Sequence, residues 1–141
     1  MQSIQEYGQP ITLERAKRAA EAAEAEAQRH GWSVVIAIVD CGSHPVLLHR
    51  MDHSQLGSIP IAQAKARCAV DFKRPTKAFE DALIQGGTGL RMLNVDDICP
   101  FEGGLPIVEA DKVIGGIGVS GARSNEDGMV ATAALAALGG P

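Results

Sequence analysis

Glu102-Gly103-Gly104-Leu105-Pro106-Ile107-Val108-Glu109-Ala110-Asp111-Lys112-Val113-Ile114-Gly115-Gly116-Ile117-Gly118-Val119-Ser120-Gly121 is the stretch whose reading decides the fold. Two apolar runs flank the polar interruption Glu109-Ala110-Asp111-Lys112, the pattern of two antiparallel strands joined by a tight turn. Glycines gather where these strands begin and end, and Pro106 falls early in the first. Glycine in or beside a strand marks a bulge or the close approach of another body. A neighbouring helix, a second subunit and a small molecule all fit, and the hairpin alone leaves the three open.

Outward from the hairpin, Ser124 opens a C-terminal helix as a hydroxyl cap with Asp127 three residues on. Its apolar face is expected to be Met129, Val130, Ala133, Ala134, Ala137 and Leu138, with Gly139 ending it. On the other side, residues 88–100 have poor periodicity and read as an irregular segment with a short strand at Ile98. Earlier in the chain, Thr12 to His30 reads as a helix, capped by Thr12 and stopped by Gly31. Its stripe is Leu13, Ala16, Ala19, Ala20, Ala23 and Ala27, a blunt face suited to packing on a sheet. Ser33 to Asp40 is a nearly continuous Val/Ile run, hence a central strand. Val46 to Met51 returns after a turn. A loop with His53 leads into a helix from about Ile59 to Phe72, and Pro75 opens a shorter helix ending at Gly86-Gly87. Short turns between neighbouring strands imply a mostly antiparallel sheet with helices packed on it. The 141 residues read as a single domain, with residues 1–10 a flexible N-terminal segment.

Composition excludes several classes of function. Acidic residues outnumber basic ones, 17 to 13, and no basic stripe is available to displace counterions, so nucleic acid is not an expected partner. No apolar run is long enough to cross a bilayer, and the N-terminus lacks the pattern of a secretion signal. The three cysteines, Cys41, Cys68 and Cys99, are odd in number and far apart, which points to a reducing cytoplasm and to no disulfide or zinc framework. With 45% hydrophobic but only 4% aromatic residues, the core must be built from Ala, Val, Ile and Leu.

Among motifs, Gly116-Ile117-Gly118-Val119-Ser120-Gly121 matches the dinucleotide fingerprint. It falls within a strand instead of between a strand and a helix, which argues against a nucleotide. Gly118-Val119-Ser120-Gly121-Ala122 nearly matches a nucleophile elbow, but no downstream His completes a triad. His30, His44, His49 and His53 offer no shared helical face, so no metal site is expected. His53 stands apart because its loop enters the next helix. On that helix Lys65 is framed by Ala62, Ala66 and Ala69. Its amine either runs out to solvent or is offered to an anion or carbonyl in a pocket. Glu102 is the acid best placed near such a pocket, or else an exposed carboxylate at a strand entry.

The run Asp96-Asp97-Ile98-Cys99-Pro100-Phe101-Glu102-Gly103-Gly104-Leu105-Pro106-Ile107-Val108, followed by Val113 to Ala122, resembles the signature of the GlcG/HbpS family, the haem-degrading domain also found at the C-terminus of PduO-type proteins. Val39-Asp40, Arg50-Met51-Asp52, Leu56-Gly57-Ser58, Ala64-Lys65-Ala66 and Pro75-Thr76 extend the resemblance over about residues 11–139. It implies an α/β (α+β) fold of profilin-like type, a mostly antiparallel sheet with helices on its faces, assembled into homo-oligomers, often octamers. It also implies a ligand site near the Gly103-Gly104-Leu105-Pro106 strand and the lysine-bearing helix. The chain departs from the family in having His53-Ser54-Gln55 after Met51-Asp52, and Ala110-Asp111-Lys112 at the hairpin turn.

Three functions follow as expectations. The first is binding of a small ligand, haem being the one the resemblance implies, with Met51, His53, Phe101, Gly103, Gly104 and Leu105 as the ligand-binding residues. The second is an enzyme or accessory protein acting on a small carboxylated or carbonyl metabolite, with Lys65 as anion or carbonyl partner, Glu102 or Asp40 handling the proton, and backbone amides near Gly103 and Gly104 donating hydrogen bonds. The third is an assembly or regulatory protein without catalysis.

Overall fold

The computed structural model describes residues 5–139. The elements run β1 (Glu6–Tyr7), α1 (Leu13–His30), β2 (Val35–Asp40), β3 (Pro45–Arg50), α2 (Ser58–Phe72), α3 (Lys77–Gln85), a 3-10 helix (Gly87–Asn94), β4 (Gly104–Glu109), β5 (Lys112–Ser120) and α4 (Ser124–Ala137). The fold is α+β, with a mixed, mostly antiparallel five-stranded sheet. β5 is its spine. It pairs antiparallel with β4 along one edge and with β2 along the other, while β3 pairs antiparallel with β2. β1, for which the sequence carries no strand signal, pairs parallel with the start of β5.

Alternation along β2 divides the core in two. Val34, Ile36 and Ile38 face the alanines of α1 together with Val130, Ala131 and Ala134 of α4. Val35, Ala37 and Val39 face Ala62, Ala66 and Val70 of α2. The sheet is therefore a middle layer, with α1 and α4 on one side and α2 on the other. A third cluster, Cys68, Phe79 and Cys99, joins the back of α2 to α3.

The glycines of the hairpin have a definite neighbour, and it is α2. A β-carbon at Gly104 would come 2.5 Å from the Lys65 carbonyl oxygen, and one at Gly116 would come 2.7 Å from that of Ala66. At Gly118 it would overlap the Ala62 carbonyl. Only a strand without side chains on that face lets the helix lie so close. Pro106 is accommodated because β4 pairs only with β5 among the described strands and its other edge needs no donor.

Helix α1 matches its sequence reading in its bounds, cap and alanine stripe, but Leu13, expected on that stripe, is 50% exposed. Thr12 Oγ1 accepts the Arg15 N–H at 3.2 Å, and Gly31 closes the helix with φ 75°. Elsewhere the structure differs. No strand forms at Ile98. The α4 cap is Arg123, whose N–H donates to Glu126 at 3.0 Å, not Ser124. The buried face of α4 is Asp127, Gly128, Val130, Ala131 and Ala134, while Met129 is 44% exposed. Asp127 turns into the core toward Lys65 instead of serving a Ser124 cap, and the buried stripe of α4 runs through it.

Candidate functional site

Lys65 lies on the face of α2 that meets the sheet and is 2% exposed. Its ammonium neither reaches solvent nor lacks partners. It donates to the Val119 carbonyl at 2.8 Å and to Asp127 Oδ2 at 3.1 Å. Asp127, also buried, uses Oδ1 to accept the Ala122 N–H at 2.9 Å. Burial pushes the Asp127 carboxyl above its usual range, with Lys65 and the Ala122 and Gly121 amides pulling the other way. Space for the amine comes from Gly103. A β-carbon there would stand 2.8 Å from Lys65 Nζ and 2.6 Å from the Val119 carbonyl, and φ is 131°. Gly103 therefore has to be glycine for two reasons, backbone conformation and room.

The other residues of the hairpin entry surround this pair. The Gly104 N–H donates to Thr76 Oγ1 at 2.9 Å, so that amide is already satisfied. Leu105 is half-buried against the α1–α4 side, and Phe101 is 48% exposed. Glu102 is half-buried, with its carboxylate against Gly128, the residue after Asp127. Burial raises its pKa; Lys77 opposes the shift, and Glu80 and Asp81 reinforce it. Its own N–H donates to Glu80 Oε1 at 3.1 Å.

At the end of β5 a cleft of about 490 Å³ opens between three segments: Trp32, His53 with Gln55, and Gly121 to Arg123 with Glu126. His53 is exposed, adopts φ 69°, and makes no hydrogen bond among the described residues. Trp32, the single tryptophan, stacks on His30 at 4.3 Å between ring centroids. Met51 is half-buried and packs on the α1 side of the core. Gln55 Nε2 donates to Ser58 Oγ at 3.0 Å, and Ser58 and Ser120 hydroxyls lie 3.0 Å apart below. The other imidazoles are occupied or remote: His30 contacts Glu26 at 3.0 Å, His49 contacts Glu24 at 2.6 Å, and His44 lies in the turn between β2 and β3.

The predicted residues thus fall into two neighbouring groups. Lys65, Glu102, Gly103 and Gly104 gather about Asp127, and His53 lines the cleft. Asp127 links them, because the Ala122 amide it holds belongs to the cleft wall. Sequence reasoning missed Asp127, Thr76, Trp32 and Arg123. An acid in the first turn of a helix has an adequate explanation in the helix dipole, so nothing pointed it at Lys65.

The family model for the haem degrading protein HbpS-like family matches residues 11–136. The chain belongs to the HbpS-like family. This HbpS-like chain is 38% identical over 99 residues to Protein GlcG of Escherichia coli (strain K12), covering 70% of this chain and 72% of GlcG. Its fold matches the crystal structure of Klebsiella pneumoniae protein ORFY with a TM-score of 0.86 at 33% identity, covering 99% of this chain and 97% of that one. It also matches a PduOC–haem complex with a TM-score of 0.82 at 28% identity, covering 91% and 94%. The expected GlcG/HbpS kinship and the α+β architecture are both borne out.

Proposed function

We propose that this HbpS-like chain binds haem in the cleft beside His53. The observation that carries this reading is an exposed imidazole, free of hydrogen bonds among the described residues, on a cleft wall shared with Trp32 and Arg123. The donor set fits the group: an imidazole for the iron, an indole for the ring and a guanidinium for a carboxylate edge. A volume of about 490 Å³ is in the range of ligand pockets. Bound there, haem would supply an iron centre whose reactivity depends on its axial ligand. Lys65 acts as a positioning residue. It fixes Asp127, which holds the Ala122 amide and with it the turn bearing Arg123. Met51, packed in the core, supports the loop instead of the iron.

Titration of the purified protein with hemin tests this. The expected result is a saturable Soret band that His53→Ala removes and Met51→Leu retains, with the melting temperature of both variants near that of the parent. A Soret band unchanged in His53→Ala overturns the assignment.

A second reading, catalysis on a small carboxylated or carbonyl metabolite, is favoured by the raised pKa of Glu102. A half-buried carboxyl that keeps its proton longer than usual, close to Asp127, is equipped for acid–base work. In either reading we propose a cytoplasmic homo-oligomer. The support is the unpaired state of Cys41, Cys68 and Cys99 and the exposed apolar side chains Ile84, Leu90 and Leu93. No helix among the described residues is long and apolar enough to cross a membrane.

A further inference from the structure

We infer that Cys68 and Cys99 form a modification site, a thiol pair that a peroxide converts to a reversible disulfide joining α2 to the segment that enters β4. The sequence sets the two cysteines 31 positions apart, and the fold brings them together: the Cys99 N–H donates to Cys68 Sγ at 3.4 Å. A sulfur that close to the other residue's backbone is within reach of a disulfide, whose α-carbons usually lie about 4.4–6.8 Å apart. Both are free thiols, packed with Phe79 where the back of α2 meets α3. Neither lines the His53 cleft, so the site is independent of the haem reading.

The two thiols are unequal, which sets their roles. Cys68 is 0% exposed and belongs to α2, whose hydrogen bonds hold its backbone. Cys99 is 8% exposed and lies outside any helix or strand, between the 3-10 helix and β4, so it is the partner free to adjust. Burial pushes the Cys68 thiol up to about 11, with the Cys99 N–H pulling the other way. Burial raises Cys99 too, but there the Lys65 ammonium, the Phe101 N–H and the Arg67 guanidinium all favour a thiolate.

Cys99 is therefore the attacking sulfur. Its thiolate takes one oxygen of hydrogen peroxide, the O–O bond breaks, and the hydroxide released gains a proton to become water. Cys99 is left as a sulfenic acid. The Cys68 sulfur gives up its proton and attacks Cys99 Sγ, the S–O bond breaks, and a second water leaves. Two thiols have lost two electrons between them, and one peroxide has been reduced to two waters. An added dithiol reverses the bond by exchange. Both thiols stay largely protonated near neutral pH, so the reaction is slow there and quickens as pH rises. A reversible bond of this kind suits a compartment where disulfides are transient. Lys65 lies one turn before Cys68 on α2, and Gly103 follows Cys99 by four residues, so the bond fastens together the two segments that frame the buried ammonium.

The test is exposure of the full-length protein carrying Cys41→Ser to hydrogen peroxide, followed by intact mass and by peptide mapping without reduction. Cys41 sits apart in the turn after β2, where its thiol donates to the Gly8 carbonyl at 3.3 Å, and serine can keep that bond. The expected product is lighter by two hydrogens, yields one linked peptide pair holding Cys68 and Cys99, and returns to the starting mass with dithiothreitol. Its rate should rise about tenfold from pH 7 to pH 8, as attack by the thiolate of a group titrating above that range requires. The oxidised form should melt at a higher temperature than the reduced one, because the bond closes a long loop of the unfolded chain. Oxygen added to either sulfur without a linked pair overturns the proposal, and so does an unchanged mass after prolonged exposure at pH 9. A melting temperature lowered by oxidation overturns it as well. All these readings come from a protein that keeps both thiols, so none depends on a variant altered in the core.

Discussion

Lys65 shows how one side chain can be placed correctly and still be misread in its environment. Its alanine neighbours at helical offsets put it on the packed face of α2, as the sequence indicates. What the sequence does not contain is Asp127, 62 positions away, and so the choice between solvent and an open pocket omitted the internal ion pair that forms. Removing one partner leaves a buried charge alone. Lys65→Met should therefore lower unfolding free energy by about 3–5 kcal/mol, measured by urea denaturation, whereas Lys65→Met combined with Asp127→Leu should recover much of the loss. Glu102 makes a pH prediction. Its folded pKa lies above the usual 4.5, so between the two values the folded state keeps a proton that the unfolded state has released. Stability from this group is present below 4.5 and declines as pH rises through the raised value. In Glu102→Gln that decline should vanish, seen as a flatter dependence of Tm on pH above 4.5.

At the scale of elements, the hairpin and α1 were legible because their signals are local: period-two runs, a polar turn, an N-cap and a left-handed glycine. The turn residues Ala110 and Asp111 do take positive φ, 51° and 64°, as a two-residue connection requires. The stripe of α4 was not legible, because one buried acid disguised its axis. Nor was the reason for the glycines, since contact between β5 and α2 joins segments about fifty residues apart. Gly118→Ala tests that contact. Its β-carbon would meet the Ala62 carbonyl and stand 2.6 Å from the Ala66 nitrogen, both backbone atoms that cannot swing aside. Destabilisation of about 3 kcal/mol or more is expected, at the upper end for overpacking, with thermal melting as the readout. Gly31→Ala, where nothing lies within 4 Å but φ is 75°, should cost about 1 kcal/mol from backbone strain alone.

For the whole molecule, kinship and a mostly antiparallel sheet covered by helices could be read from the chain, while the sides the helices take and the cleft could not. Trp32, His53 and Arg123 belong to three segments that only the folded sheet brings to one end. The exposed side chains of α3 and the 3-10 helix make the prediction at this scale. Ile84 is 78% exposed and Leu93 is 71% exposed, an apolar surface that suits contact between copies. Ile84→Glu with Leu93→Glu should reduce the mass measured by light scattering while leaving the far-UV circular dichroism unchanged. An unaltered mass would place any association elsewhere.

Gly103 has a consequence beyond its own residue. By having no side chain it leaves an opening at the rim of the sheet, through which an ammonium rooted in one outer layer grips a carboxylate rooted in the opposite one. Neither covering can peel away without stranding its charge in the other, so α2 and α4 are bound to come loose in a single event, as two halves of one clasp.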